Sequence, residues 1–514
     1  MKDLIFSQGF LYLRFSILGL LLVSLLGIPY DLNLMQEPLF LIIAALILGL
    51  GFSSMWQSSY RESKKAHYLH FLSYLSGRLN MGVSLERALY ESVEPLAKEL
   101  GQHQVIIRAL KSLRSNLNAQ MALDDVLQVF AEKMQVDVCT EDMRLLSLMA
   151  SAGGKVEEFI KQRHRSLSTQ ISIQTDVVTE YKGKSTEAIL LSVMPFLMAF
   201  FFLQKNVQDS SASTPVVWRG LLFLGAVFAI FLVMRIVYWR EPAPQRKVKS
   251  KKSKIDKKKK KSKINVEKPN RWTKFMSRLY LDLLPGNLGL RLSAALVTVS
   301  DDGEASWTQY FNEKKVYLVS GINLFLISRL IGTVSISAGV VLAVFPGLFQ
   351  DIALLAKARD MRIHYRYYAP NTISTIEILL SSRLTLERSL QILGQTSSSI
   401  SDTHALERDI RQAVHLLDKG YSGYDAVHFL AERCPLPEIQ SALQLMARYS
   451  QQGGSELLEL LHLQTQHIWQ LFRHTQQNLM EHRMMRLVIP MALDLFIIIA
   501  TISLPFIFEF KNIL

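Results

Sequence analysis

Two kinds of apolar pattern alternate along this 514-residue chain. In one, apolar residues run almost unbroken: Phe15–Tyr30, Leu39–Phe52, Ala188–Leu203, Val216–Met234 (interrupted by Arg219) and Leu487–Phe508. With their flanks, each approaches the ~20 residues needed to cross a hydrocarbon core ~30 Å thick. In the other, apolar residues recur at i, i+3 and i+4 among charged ones, as at Val156, Phe159, Ile160, Leu167 and Ile171. That spacing predicts helices with one buried face. The expected fold is an all-α membrane protein with two tandem helical bundles and flanking transmembrane helices.

The word "tandem" rests on an internal repeat, which has to be sought before any fold is assigned. "SAGGKVEEFIKQR" (151–163) and "SQQGGSELLELLHLQ" (450–464) each place an adjacent glycine pair before a helical run. Gly153 and Gly154 stand 300 positions before Gly453 and Gly454. At the same offset Ala131-Glu132-Lys133 meets Ala431-Glu432-Arg433, Asp125 meets Asp425, and Leu145 meets Leu445. "SLERAL" (84–89) meets "TLERSL" (385–390) at an offset of 301. Ordered matches at nearly constant spacing indicate duplication of a whole domain. Glycine inside a helix costs roughly 0.5–1 kcal/mol relative to alanine, so the pairs predict helix–helix turns in which glycine takes the φ > 0 position. Gly153, Gly154, Gly453 and Gly454 are the structural turn residues expected.

Lysine and arginine give the orientation. The loop 29–38 has neither and the loop 204–215 has one lysine, whereas 61–184 carries many. The N-terminus and both bundles are therefore expected on the cytoplasmic side. The expected organisation is a transmembrane hairpin at 1–60, a first cytoplasmic bundle at 61–185 and a second transmembrane hairpin at 186–239. A Lys-rich linker at 240–275 and an amphipathic connector at 276–315 follow. A membrane hairpin at 316–351, with Arg329 at its outer end, then leads to a second cytoplasmic bundle at 352–486 and a C-terminal transmembrane helix at 487–510. A single span at 316–351 would put the second bundle outside, against the expectation that duplicated domains share a compartment.

Composition sharpens this picture. Hydrophobic residues make up 49% of the chain and charged residues 20%, with a formal net charge of +14 and a mean hydropathy of +0.17. The charge is local: residues 246–263, "RKVKSKKSKIDKKKKKSK", hold twelve basic residues and Asp256, leaving only +3 for the rest. A nucleic-acid surface would spread its basic residues over a folded face and interleave aromatics, and this run has none. It reads as a solvated linker that enforces topology and attracts anionic lipid headgroups, each basic residue adding ~1 kcal/mol near the surface. Cys139 and Cys434 fall in the predicted cytoplasmic bundles with no nearby partner, and are expected to be packed thiols.

Catalytic chemistry is hard to find. "GKST" (183–186) resembles the end of a phosphate-binding loop, but Val178 stands where that loop needs glycine and no apolar strand precedes it. No catalytic, cofactor-binding or metal-ligating set is expected. Asp494, an acid deep in an apolar span, is either a helix–helix hydrogen-bond partner or a proton relay. Pro195 and Pro490 sit inside spans, one after each bundle, and are expected to kink them.

A helical repeat with "SLERAL" early, a Gly-Gly turn late and then a proline-kinked span resembles the type II secretion system F-domain family. Its members are platform proteins of type II secretion and type IV pilus machines. The arrangement is most similar to the Tad (Flp) pilus pair, here fused through the Lys-rich linker; the archaeal flagellar-type platform also resembles it. The resemblance covers roughly 61–204 and 360–508, and the family's glycine turn maps onto Gly153-Gly154 and Gly453-Gly454. It implies two F-type bundles and no enzymatic activity or cofactor. It also implies an oligomeric platform whose partners are a cytoplasmic assembly ATPase and prepilin or pilin subunits. A transporter built from two repeats is the reading from another class, but transporter repeats lie within the membrane.

Overall fold

The computed structural model of the chain describes residues 2–32, 37–205, 215–238, 287–299, 336–397 and 405–513, with short helical pieces between 310 and 326. The expected Lys-rich linker, most of the amphipathic connector and the turn at Arg329 lie outside the described residues. Among the described residues there is no β-strand. Among the same residues four helices are long and apolar enough to cross a membrane, two of them counted across a break, and Arg14–Tyr30 is a shorter apolar helix.

The chain divides into two compact units, Met1–Ala243 with Arg473–Leu514, and Pro244–Phe472. The first unit opens with α1 (Lys2–Gly27), a 3₁₀ turn (Ile28–Tyr30) and α2 (Pro38–Asn80). α1 and α2 pack together through small residues. A Cβ on Gly49 would lie 2.5 Å from Ser16 Oγ, and one on Gly19 would lie 3.0 Å from the Ala45 carbonyl oxygen. Helices in lipid approach closely where such small residues face each other. α2 then runs 43 residues without interruption, from an apolar half into an amphipathic half that begins the first bundle.

That bundle continues with α3 (Leu85–Glu91), α4 (Val93–Leu100), α5 (Val105–Asn118), α6 (Leu123–Met134) and α7 (Asp137–Ser151), and closes with α8 (Val156–Leu191). Phe71, Leu75, Leu110, Phe130, Leu146 and Phe159 fill its core. α9 (Met194–Lys205) and α10 (Val216–Tyr238) follow α8. The last helix of the chain, α18 (Val488–Ile513), packs against both α9 and α10. Tyr30, Phe196, Phe223 and Ile497 share one buried cluster there.

The second unit holds α11 (Leu288–Val299), α12 (Ile336–Ser381), α13 (Leu386–Ser397), α14 (Ala405–Asp418), α15 (Gly423–Arg433) and α16 (Pro437–Gln452). α17 (Ser455–Met485) begins in this unit and ends in the first. Its core gathers Ile376, Leu390, Ile410, Leu430, Met446 and Ile468.

The bundle elements recur in order. α5, α6 and α7 begin at 105, 123 and 137, and α14, α15 and α16 begin at 405, 423 and 437. Buried Leu110, Phe130, Ala131 and Leu146 stand 300 positions before buried Ile410, Leu430, Ala431 and Met446. Even the helix ends correspond: the amides of Gln120 and Met121 bond back to Leu117 and Asn116, and those of Gly420 and Tyr421 to Leu417 and Leu416. The boundaries expected at 60/61, 185/186 and 351/352 fall inside the continuous helices α2, α8 and α12.

Candidate functional site

The glycine pairs lie where a bundle helix hands over to the long helix leading to an apolar segment. Gly153 has φ +77°. Its amide bonds to the Ala150 carbonyl at 3.3 Å and that of Gly154 to Met149 at 3.0 Å, the paired bonds that finish a helix on a left-handed residue. Gly154 has little room: an added Cβ would meet Met149 Cγ at 2.6 Å. The second pair turns differently. Gly453 sits at φ +64°, ψ −158°, a region essentially restricted to glycine, and Gly454 follows at φ +100°.

Beyond each turn a long helix runs to a proline. α8 stops at Leu191, three residues before α9 has taken over with Pro195 as its second residue. α17 stops at Met485 and α18 starts at Val488, with Pro490 its third residue. Across the breaks the ladder tightens to i→i−3 bonds, Val193 to Leu190 and Leu487 to Met484. Proline has no amide to donate and its ring clashes with the carbonyl four residues back, so the interruption falls just ahead of each one. The last turns of α17 lie beside α8: Gln477 donates to Glu180 at 3.1 Å, and Arg473 is 3.8 Å from Asp176.

Each bundle also holds a buried tyrosine–aspartate pair with arginine beside it, fully buried in the first bundle and partly exposed in the second, that sequence reasoning missed. In the first, Asp142 accepts from Arg163 Nε at 2.5 Å and from the Tyr68 hydroxyl at 2.9 Å, and all three side chains are buried. Burial raises the Asp142 carboxyl against the opposing pull of Arg163. Glu141 beside it is pushed up to about 7, by burial first and by Asp142 and Asp137 after, with Arg163 opposing. In the second bundle Tyr365 donates to Asp409, and Arg433 Nε and Arg408 Nε lie 3.4 Å and 3.5 Å from that carboxylate. The two sets use different helices: Asp142 is on α7, whereas Asp409 is on α14, and 300 positions after Asp142 stands Ala442. The available signal was a charge on the apolar face, since Arg163 falls four residues after Phe159 and four before Leu167.

"GKST" lies inside α8, where the hydroxyls of Ser185 and Thr186 bond back to the Lys182 carbonyl at 2.8 Å and 3.0 Å. The backbone there is spent on the helix and cannot wrap a phosphate. Cys139 and Cys434 are free and buried; burial holds the first thiol well above its usual range and pushes the second up to about 12. Asp494 is buried in α18, and neither carboxyl oxygen has a hydrogen-bond partner among the described residues. The helix–helix hydrogen bond weighed for it is not made.

Comparison with known proteins gives one positive finding. No curated protein and no solved structure matches the chain. Residues 373–505, from the second half of α12 into α18, match the family described as type II secretion system (T2SS), protein F. The chain thus carries, over those residues, a domain of the type II secretion system F family.

Proposed function

We propose that this membrane protein is the inner-membrane platform of a Tad-like pilus or related secretion machine, with both helical bundles in the cytoplasm. The observation that carries the reading is the repetition itself. The F-family region at 373–505 has the order of its elements repeated 300 residues upstream, glycine turn and proline break included. Each copy is a bundle whose last long helix continues, through a proline, into an apolar helix. That is the construction of a lever between a soluble partner and the bilayer.

In this reading the platform does no chemistry. A cytoplasmic assembly ATPase supplies the work, the bundles receive its motion, and α8–α9 and α17–α18 transmit it to pilin or prepilin subunits leaving the membrane. The adjacency of α8 and α17 at Asp176–Arg473 and Glu180–Gln477 favours concerted movement of the two levers. The chain works as an oligomer, and the Lys-rich segment holds anionic lipid headgroups near the cytoplasmic face. The test is crosslinking in native membranes followed by identification of the adducts. A secretion-type ATPase and pilin-like subunits should be recovered from positions on both bundles. Recovery of neither, with filaments or secretion unaffected when the chain is deleted, contradicts the assignment.

A further inference from the structure

The acid in the last helix has no place in the lever reading, and its surroundings indicate what it does. Asp494 is 3% exposed. One and two turns further along the same face of α18 come Ile497 and Thr501, both buried. That face looks onto the Tyr30, Phe196 and Phe223 rings, whose centroids lie 5.7–6.2 Å apart. The Tyr30 hydroxyl lies 3.4 Å from the Pro195 carbonyl oxygen, beside the α8–α9 break. It also hydrogen-bonds the Thr501 side chain and interacts electrostatically with Asp494. Asp494 is thus buried on the face of α18 whose Ile497 belongs to the Tyr30, Phe196 and Phe223 cluster, and the Tyr30 hydroxyl that it feels is already engaged by Thr501.

The elements packed against α18 supply little to balance a charge. α9 carries Lys205 at its far end. α10 carries Arg219, which is paired with Asp31 at 2.9 Å, and Arg235 near its other end. α8 carries Lys184 and Glu187 before its break. Among the described residues none of these forms an ion pair with Asp494. A charged carboxylate buried in this way is expensive, and such groups take up a proton or acquire a partner.

We propose that Asp494 is a reversible proton-binding site of the membrane bundle. In the packing described here it carries a proton, taken from water. Releasing that proton leaves an uncompensated charge against Tyr30 and Phe196, so α18 moves away from α9 and the Pro195 break to reach water or a cation. The site thereby couples proton occupancy to the same proline-broken helices that join the bundles to the membrane. It rests on the membrane fold alone, and holds or fails independently of any pilus or secretion role.

Infrared spectroscopy of the full chain in phosphatidylcholine–phosphatidylglycerol nanodiscs tests this directly. The wild-type protein at neutral pH should show a protonated-carboxyl stretch that disappears in Asp494→Asn and shifts when aspartate is labelled with carbon-13. Asp494→Glu should keep a protonated-carboxyl band at an altered frequency, which guards against misfolding of the amide variant. Raising the pH should remove the band and lengthen the α9–α18 distance between spin labels in the wild type, with no change in Asp494→Asn. The proposal is overturned if the labelled wild type shows only ionised aspartate at neutral pH. It is equally overturned if the band is titrated away with no change in the spin-label distance.

Discussion

Ser422 and Ala122 occupy the same place, 300 residues apart, with different chemistry. Ser422 caps α15: its hydroxyl accepts from the Asp425 amide at 3.1 Å while the Asp425 carboxylate accepts from the Ser422 amide at 3.3 Å. At the start of α6 the acid is kept as Asp125, but Ala122 makes no side-chain cap. Ser422→Ala should destabilise the second bundle by about 1 kcal/mol, and Ala122→Ser should stabilise the first by a similar amount; thermal unfolding of the two variants measures this. The left-handed helix ends give a second contrast. Gln120 holds φ +55° where Gly420 holds +91°. Gln120→Gly should be neutral or stabilising, whereas Gly453→Val should cost about 1–3 kcal/mol. The buried acids predict a pH dependence. Folded Glu141 keeps a proton to about 7, whereas an ordinary glutamate releases it near 4.5. Across that window the folded state binds more protons at Glu141, so this group's contribution to stability is greatest below about 4.5, falls as pH rises and levels off above about 7. Glu141→Gln should flatten the slope seen in denaturant unfolding; an unchanged slope assigns it to another group. The glycine turns could be read from residue type, because a paired glycine has few other uses. The Asp142–Arg163 pair could not be assigned, because amphipathic periodicity locates a buried face without showing which charges on it find each other.

At the level of elements, the two proline breaks are the clearest devices. Because each interruption follows from a missing amide and a ring clash, Pro195→Ala and Pro490→Ala should join α8 to α9 and α17 to α18. An interior proline costs about 3 kcal/mol of helix stability, so the variants should gain helicity and thermal stability. They should lose filament assembly or secretion if the breaks act as joints. Full activity in both variants would reduce the breaks to incidental kinks. The α1–α2 seam makes a separate prediction. Gly49→Leu would drive a side chain into Ser16, whose backbone Cα is 2.9 Å from where the Cβ would stand. It should separate the two helices, lowering detergent-resistant stability while leaving the bundle core around Phe130 unchanged. Long helices and their prolines were legible in the sequence, since both depend on local rules. The limits of α3 to α7 were less so, because several turns rest on residues with no strong signal, such as left-handed Gln135 after α6.

On the scale of the whole molecule, periodicity alone marked the passage from membrane to bundle but could not mark a boundary. α2 and α12 change from apolar to amphipathic without breaking the helix, so the change of environment has no backbone event attached to it. The repeat was legible because its landmarks keep their spacing. That the last helix groups with the first half was not, because packing partners among uniformly apolar helices are chosen by shape, as where Ile497 meets the space above Gly225. The claim on which the functional reading depends is that both bundles face the cytoplasm. Single cysteines at Ala119→Cys and Lys419→Cys, exposed and equivalent by repeat, test it in a chain in which Cys139 and Cys434 are replaced by alanine. Intact cells are treated with a membrane-impermeant maleimide, then permeabilised and treated again. Both sites should resist labelling in intact cells and react after permeabilisation. Labelling of either one in intact cells would place that bundle outside and contradict a two-bundle cytoplasmic platform.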